Sequence, residues 1–422
     1  MKKRIYRKVA IANLDELALK ASVAGQRVVL AVDVAKEDMV GVFAGVDGGE
    51  GKTVSWKSPG ENERVADLLE RLLEPGRSVE VAMEASGAYG DVLRHMLIQR
   101  GFKVYRVSGK RTHDAAEVFD GVPSLHDAKS AAIIAKLHLD GVSALWPEVP
   151  TSVRGARAMI GTMEMFGEHY QRLIHQLEGW LARHWPEVTG VLELTSATLL
   201  AMLSRIGGPT EVAANPAGAR RLLHGMGHGL LKPEKIEAVI ACAQRSSGVP
   251  TVAEEHAALR ELAEEAHRAL KQFKASKGKV EASAEAGPAR ELAPVTGKAT
   301  AAVLLADAGD ARDYSSAGAY LKAFGLNLKE KSSGVLKGRL SITKRGPSRA
   351  RKWLWLAVLR WIQKDDLAAA WYRRKIGRDG NTKAKAIVAL MRKLVKALFH
   401  VARGRPFDSS KLFDATQLKL AS

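Results

Sequence analysis

The sequence predicts an α/β domain at the N-terminus, a central helical region and a mainly helical C-terminal domain. Short β-branched runs alternate with helical apolar periods in residues 1–146. Two long stretches of helical period follow, and apolar helices separated by basic connectors begin near residue 290. At 422 residues the chain is long enough to bury two or three separate cores.

The N-terminal domain begins with three short strands, after which helices and strands alternate. The predicted elements are strands over 27–34, 39–44 and 53–56, a helix over 61–73, a strand over 78–83, a helix over 91–100, a strand over 103–107 and a helix over 126–139. Three meandering strands followed by alternating units is the element order of a ribonuclease H-like fold. A doubly wound sheet would alternate from its start.

Two long amphipathic helices dominate the central region, 147–289, which begins around Pro150. Apolar residues recur at three- and four-residue steps over 160–181 and again over 259–273. The two helices predict an antiparallel arm. Residues 274–289 are rich in Lys, Ala, Ser, Gly and Glu without an apolar period, so they predict a linker or a fraying helix end before the next domain.

The C-terminal domain is predicted over 290–407. Apolar helices over 299–306, 354–362 and 387–399 alternate there with basic connectors. The tail, 408–422, carries no functional signal.

Charge predicts the kind of partner. The chain has 65 Lys and Arg against 46 Asp and Glu, a formal net charge of +19 and a pI near 9.9. This excess predicts a polyanionic partner. There is no apolar run of about 18 residues and no charged-then-apolar N-terminal signal, so we expect nucleic acid rather than a membrane, and a soluble cytosolic protein.

Three acidic residues occupy positions suited to metal binding. Asp33 ends the first apolar strand, Glu84 directly follows the strand over 78–83, and Asp127 opens the last helix of the domain. Hard cations such as Mg²⁺ or Mn²⁺ prefer oxygen ligands, and two-metal sites clamp a phosphodiester from both sides. The alternative is that each is an ordinary solvated acid, with Asp127 favoured by the positive end of its helix.

A strongly basic connector in the C-terminal domain predicts a phosphate-binding surface. It holds nine Lys or Arg against the single Glu330, and it contains Ser333 followed by Gly334. A hydroxyl among cations could act as a nucleophile on phosphate, or it could only bind phosphate or cap a helix. The nine cations are Lys329, Lys331, Lys337, Arg339, Lys344, Arg345, Arg349, Arg351 and Lys352.

Two sets of motifs resemble the IS110-type transposase family. The first comprises LAVDVAK at 30–36, AMEASGAY at 82–89, GFKVYRV at 101–107 and HDAKSAAIIA at 126–135. The second, between 292 and 356, comprises AAVLLADAGD at 301–310, YLKAFG at 320–325, SSG at 332–334 and ITKRG at 342–346. The resemblance implies a RuvC-like DEDD domain joined to a C-terminal transposase domain that carries a nucleophilic serine.

The resemblance assigns roles to individual residues. Asp33, Glu84 and Asp127 match the first three metal-binding acids, and the fourth position, three residues later, holds Ser130. An alternative register makes Asp127 the fourth acid and Ser124 the missing third, but the Ala-rich run after Ser130 favours the first alignment. A serine cannot supply the charge of a carboxylate, so metal binding should be weaker.

The family's nucleophilic serine is matched best by Ser333, with Ser332 as the second choice. The family also has a glycine-containing hairpin like those of helix-hairpin-helix modules, and here only Gly297 remains at that place. The implied partners are donor and target DNA, a structured non-coding guide RNA of the bridge type and further copies of the chain. The paired central helices resemble the family's coiled-coil arm, which favours dimers or tetramers, while an intramolecular helical hairpin is the alternative.

The leading hypothesis is a recombinase of a mobile element, located in the cytoplasm at the nucleoid. In it Asp33, Glu84 and Asp127 bind Mg²⁺ or Mn²⁺ and Ser333 attacks DNA to form a phosphoserine link. One alternative is a RuvC-like nuclease in which water attacks and no covalent link forms. Another is a catalytically silent nucleic-acid-binding descendant, suggested by Ser130.

Overall fold

The computed structural model describes residues 6–23, 25–45, 51–85, 87–226, 231–333 and 336–414, without the side chains of 331–333, 336–337 and 339. The chain divides into two compact units, Met1–Pro150 and Thr151–Ser422. No helix in these described ranges is both long and apolar enough to cross a membrane.

The first unit is built on a mixed sheet, which confirms the predicted ribonuclease H-like element order. Its strand order is β1-β4-β3-β2-β5-β6-β7. β3 runs antiparallel to β2 and β4, β5 runs parallel to β2 and β6, and the short outer strands extend both edges. The strands are β1 (Val9–Ala10), β2 (Arg27–Asp33), β3 (Asp38–Gly45), β4 (Lys52–Lys57), β5 (Ser78–Glu84), β6 (Lys103–Val107) and β7 (Ala144–Leu145).

Helices cover both faces of this sheet. One face buries Leu30 and Phe43 against apolar side chains of α2 and α3, and the other buries Ala31 against Ile134 of α5. Burial on both sides explains why β2 reads as a continuous apolar run. The helices are α1 (Glu16–Ser22), α2 (Asn62–Arg71), α3 (Asp91–Gln99), α4 (Gly109–Asp120) and α5 (Asp127–Leu139).

The second unit begins with an antiparallel pair of long helices, α6 (Thr151–His184) and α12 (Ala253–Glu285). His184 lies 3.7 Å from Glu255, and His169 lies 2.9 Å from Glu265. Position increases along one helix as it decreases along the other, so the pair forms within a single chain. Between them lie α7 (Val188–Val191), α8 (Ala197–Arg205), α9 (Pro209–Ala214), α10 (Pro216–Met226) and α11 (Pro233–Gln244).

The linker expected over 274–289 is wrong for most of its length, because α12 continues to Glu285. Ser276, Val280 and Ala284 are buried at four-residue steps and form the inner face of this extension. A period made mainly of small residues does not stand out in a search for large apolar side chains.

The rest of the second unit is mainly helical, as expected, but its basic connector contains a two-stranded hairpin. Leu304, Tyr320, Leu354 and Leu394 share its core. The elements are α13 (Ala293–Thr296), α14 (Lys298–Ala308), α15 (Ala317–Ala323), β8 (Leu328–Ser333), β9 (Leu336–Ile342), α16 (Ser348–Lys364), α17 (Asp366–Arg378) and α18 (Lys383–Val401).

Candidate active site and nucleic-acid interface

Asp33 and Glu84 end two neighbouring parallel strands. The pairing of β2 with β5 runs to Val32 opposite Met83, one residue before each acid. Burial raises the pKa of Asp33 to about 6, and the negative charges of Glu84 and Asp127 raise it further. The acids chosen from the sequence therefore act on one another electrostatically at one end of the sheet.

The Glu84 carboxylate lies against the first residue of α4. A Cβ atom on Gly109 would collide with it, so only glycine allows this close approach. A helix N-terminus carries partial positive charge and favours a carboxylate beside it. Helix α4 was not predicted, because only Thr112 and Ala116 of its residues are buried.

Asp127 has a protein cation as its partner. The Lys8 ammonium donates a hydrogen bond to Asp127 Oδ2 at 2.6 Å, and this bond holds the pKa of Asp127 below its usual value. The positive charge of Lys8 also opposes the rise in the pKa of Asp33. Lys8 precedes β1, and nothing in its local sequence distinguishes it from the other N-terminal basic residues.

The start of α5, which carries Asp127, is anchored by a buried lysine. Lys129 is 2% exposed, and its ammonium lies 2.7 Å from Asp120 Oδ1 and 3.0 Å from the Ser124 carbonyl oxygen. Ser130, one turn after Asp127 at the expected fourth-acid position, is also buried. A carboxylate there would need a counter-charge.

The acids are of the right chemical type for a divalent cation, but their arrangement is incomplete. No group of three or more His, Cys, Asp or Glu in the described ranges is placed to hold a metal ion. A cation would relieve the like-charge repulsion that raises the pKa of Asp33. Ser130 supplies no charge, and Lys8 already pairs with Asp127.

The basic connector folds into the β8–β9 hairpin. Lys329 pairs with Ser341 and Lys331 with Arg339, and the register shifts between Lys331 and Ser333. The hairpin was expected to be an irregular connector, because its alternating charged residues hide the strand period. The side chains of Lys331, Ser332, Ser333, Lys337 and Arg339 lie outside the described part of the structure.

Close backbone packing holds the loop after β9, which carries Lys344 and Arg345. A Cβ on Gly325 would collide with the Arg345 backbone, and one on Gly346 would collide with the Ala323 carbonyl oxygen. Lys344 has a φ of 55°, which is uncommon for a residue with a side chain. Both cations of this loop are exposed.

The last three predicted cations are engaged inside the second unit. The Arg349 guanidinium pairs with Asp307, and Arg351 donates to the Gly346 carbonyl oxygen at 2.7 Å. The Lys352 ammonium lies 3.3 Å from Glu168. Lys329, Lys344 and Arg345 are therefore the better-placed phosphate contacts among the cations whose side chains are described.

Comparison with known proteins connects both units to one family. A DEDD transposase model of the IS110 type matches residues 30–186, and a model described as "Transposase IS116/IS110/IS902 family" matches residues 292–373. An "Insertion element IS110 uncharacterized 43.6 kDa protein" from Streptomyces coelicolor is 24% identical over 403 residues, spanning 88% of this chain and 96% of the relative.

The fold and the two matches define the chain as a transposase, an enzyme that carries out DNA transposition. Its N-terminal unit is a DEDD domain, a type that is generally dependent on divalent metal. The chain belongs to the IS110 family of transposases.

Proposed function

We propose that this transposase cuts and rejoins DNA through a phosphoserine intermediate, with acids of the first unit and a serine of the second as its catalytic groups. The observation that carries the proposal is the raised pKa of Asp33, caused by burial and by the charges of Glu84 and Asp127. Repelling carboxylates cost stability, and catalytic sites are where such a cost is retained.

In this proposal the Ser333 hydroxyl oxygen forms a bond to the scissile phosphorus. The bond from that phosphorus to one deoxyribose oxygen breaks, and the released oxygen takes a proton. The number of phosphoester bonds is unchanged, so the reverse reaction can rejoin a new strand. Lys329, Lys344 and Arg345 would stabilise negative charge on the phosphate.

Asp33, Glu84 and Asp127 would hold the divalent cation, which when bound supplies positive charge at the scissile phosphate. For Asp127 to take part, its carboxylate must leave Lys8, whose pair with it is half exposed. The N–H groups at the start of α4 and the bond network of Lys129 keep Glu84 and α5 in place while this exchange occurs.

The partners we propose are donor and target DNA, a structured bridge-type guide RNA and further copies of the chain. Support comes from the net charge of +19 and from the IS110 resemblance. Because α6 and α12 already pair within one chain, a dimer or tetramer would form through their outer faces. We retain the proposed domains 1–146, 147–289 and 290–407 with the tail 408–422.

A protein–DNA adduct tests this function. The full-length protein and its element-derived RNA are incubated with labelled donor and target DNA in Mg²⁺ and analysed on a denaturing gel. The adduct should disappear in Ser333→Ala and persist in the matched neighbour Ser332→Ala. Loss in Ser332→Ala alone would transfer the role to Ser332, and cleavage without an adduct would indicate attack by water.

A second candidate function is nucleic-acid binding without cleavage, favoured by Ser130 and by the Lys8–Asp127 ion pair. Ser130→Asp decides between the two. An adduct that forms only in Ser130→Asp would mean that the missing acid silences an intact architecture. Nucleic-acid binding with no cleavage or adduct in either form would establish the binding function.

A further inference from the structure

A cavity of about 770 Å³ opens in the C-terminal part of the second unit. The turn between α13 and α14, the end of α16 and the segment after α18 form its wall. Its size lies in the range of small-molecule sites. The residues relevant to its chemistry are Glu291, Gly297, Trp361, Lys364, Arg405 and Phe407.

Two buried polar atoms belong to residues of this wall and have no hydrogen-bond partner. Trp361 is 8% exposed, and its Nε1, which can only donate, is unpaired. Glu291 Oε2 is an unpaired acceptor, while its Oε1 lies 3.7 Å from Arg312 Nη1. Buried polar atoms are usually paired, so a donor and an acceptor left open at one cavity indicate a missing ligand.

Positive charge surrounds the same cavity. Lys364 and Arg405 are exposed, and within the described residues neither forms an ion pair. Helix α14 begins beside them, and its N-cap, Gly297, provides no side-chain cap, so the N–H groups of its first turn can bind an anion. The one carboxylate nearby on α16, Asp365, accepts from Ala368 N–H and caps α17.

We propose that this cavity binds one guanine nucleotide that is unstacked from its nucleic-acid strand. Guanine carries two adjacent N–H donors, which a carboxylate such as Glu291 accepts, and its O6 and N7 accept from the Trp361 indole. Phe407 offers an aromatic surface to the base. Lys364, Arg405 and the α14 N-terminus would receive the phosphate. The inference rests on the proposed function for the source of the nucleotide, but it concerns a site apart from Ser333.

Isothermal titration of the full-length protein with GMP tests the site without any DNA chemistry. GMP should bind, and AMP, CMP and UMP should bind at least about tenfold more weakly because they lack the paired donors. Glu291→Gln and Trp361→Phe should each weaken GMP binding by about tenfold. Comparison of GMP with dGMP distinguishes an RNA from a DNA source: a preference for GMP indicates RNA, and equal affinity indicates that either strand can supply the base.

Trp353→Phe is the matched control, because Trp353 lies on the same helix and its Nε1 already donates to Glu164 at 2.9 Å. It should leave GMP affinity unchanged, with all variants compared at equal melting temperature offsets. No binding of GMP, equal binding of all four nucleotides, or affinity insensitive to Glu291→Gln and Trp361→Phe would overturn the proposal. Adduct formation in the same preparation would show that the transposase function stands regardless.

Discussion

The two ends of strands β2 and β5 treat their carboxylates in opposite ways. At one end, Glu80 accepts hydrogen bonds from Arg27 Nε at 2.8 Å and Tyr105 Oη at 3.2 Å and lies 3.0 Å from His138 Nε2. Burial alone would raise the pKa of Glu80, but the bonds from Arg27 and His138 outweigh it and the pKa is lowered. Four residues along the same strand, Glu84 faces other acids.

The difference separates a structural carboxylate from a candidate catalytic one. Glu80 is neutralised by the protein itself and ties β2, β6 and α5 together. At the other end burial and neighbouring negative charges raise the pKa of Asp33 to about 6, which is a cost that an external cation can remove. One sheet thus provides a closed network and an open site on the same strand pair.

Breaking the closed network should have the largest effect on stability. Glu80→Ala leaves Arg27 and the buried His138 without their carboxylate, and we expect the free energy of unfolding to fall by about 2–3 kcal/mol. Denaturant unfolding, with hydrogen exchange of the β5 amides as a local probe, measures this. Glu37→Ala, which removes an exposed carboxylate, should change stability by less than about 0.5 kcal/mol. Equal effects of the two variants would contradict the contrast.

Removing the charge at the open site should have the opposite sign. The folded-state pKa of Asp33 is about 6 against 3.8 for the model value, so the folded state keeps a proton that the unfolded state has lost. Stability therefore falls as pH rises from about 4 to about 6 and stays lower above it. Asp33→Asn should stabilise the protein by up to about 2–3 kcal/mol at pH 7.5 and leave it unchanged near pH 4.

Melting temperature as a function of pH checks this prediction. The curves of the wild type and Asp33→Asn should coincide at low pH and separate as pH passes through about 6. Parallel curves, or destabilisation by Asp33→Asn at neutral pH, would mean that Asp33 is an ordinary paired carboxylate.

The smallest predicted effect concerns Lys8, which competes with a cation for Asp127. Lys8→Met should raise the pKa of Asp33, because the positive charge that opposes the rise is lost. It should also tighten Mn²⁺ binding by a few-fold, on the order of 1 kcal/mol or less because the ion pair is exposed. Electron paramagnetic resonance of free Mn²⁺ measures the affinity. Lys20→Met, from the exposed pair with Glu74, is the control and should have no effect.

Much of the first unit could be predicted because burial on both faces writes itself into continuous β-branched runs such as β2 and β5. Asp33, Glu84 and Asp127 were identifiable because they stand where these elements end or begin. Lys8 could not be found, since its partner is 119 residues away and no local pattern marks the pair. Helix α4 and the end of α12 were missed because each buries few or small side chains.

The C-terminal unit was harder to predict from its residues. The β8–β9 hairpin carries charged residues in alternation, so its composition indicates an irregular connector. Glu291 and Trp361 gave no signal, because their significance lies in unpaired atoms at one cavity rather than in a motif. Arg349 was chosen for its charge alone, and its pairing with Asp307 depends on the packing of α14 against α16.

Direct titration of Mn²⁺ into the full-length protein at pH 7.5 tests the central claim that one end of the sheet is a cation site and the other is not. Glu80→Gln should bind Mn²⁺ as the wild type does, Asp33→Asn should lose binding, and Ser130→Asp should bind more tightly. Binding that Asp33→Asn leaves intact and Glu80→Gln removes, or no binding even in Ser130→Asp, would contradict the account.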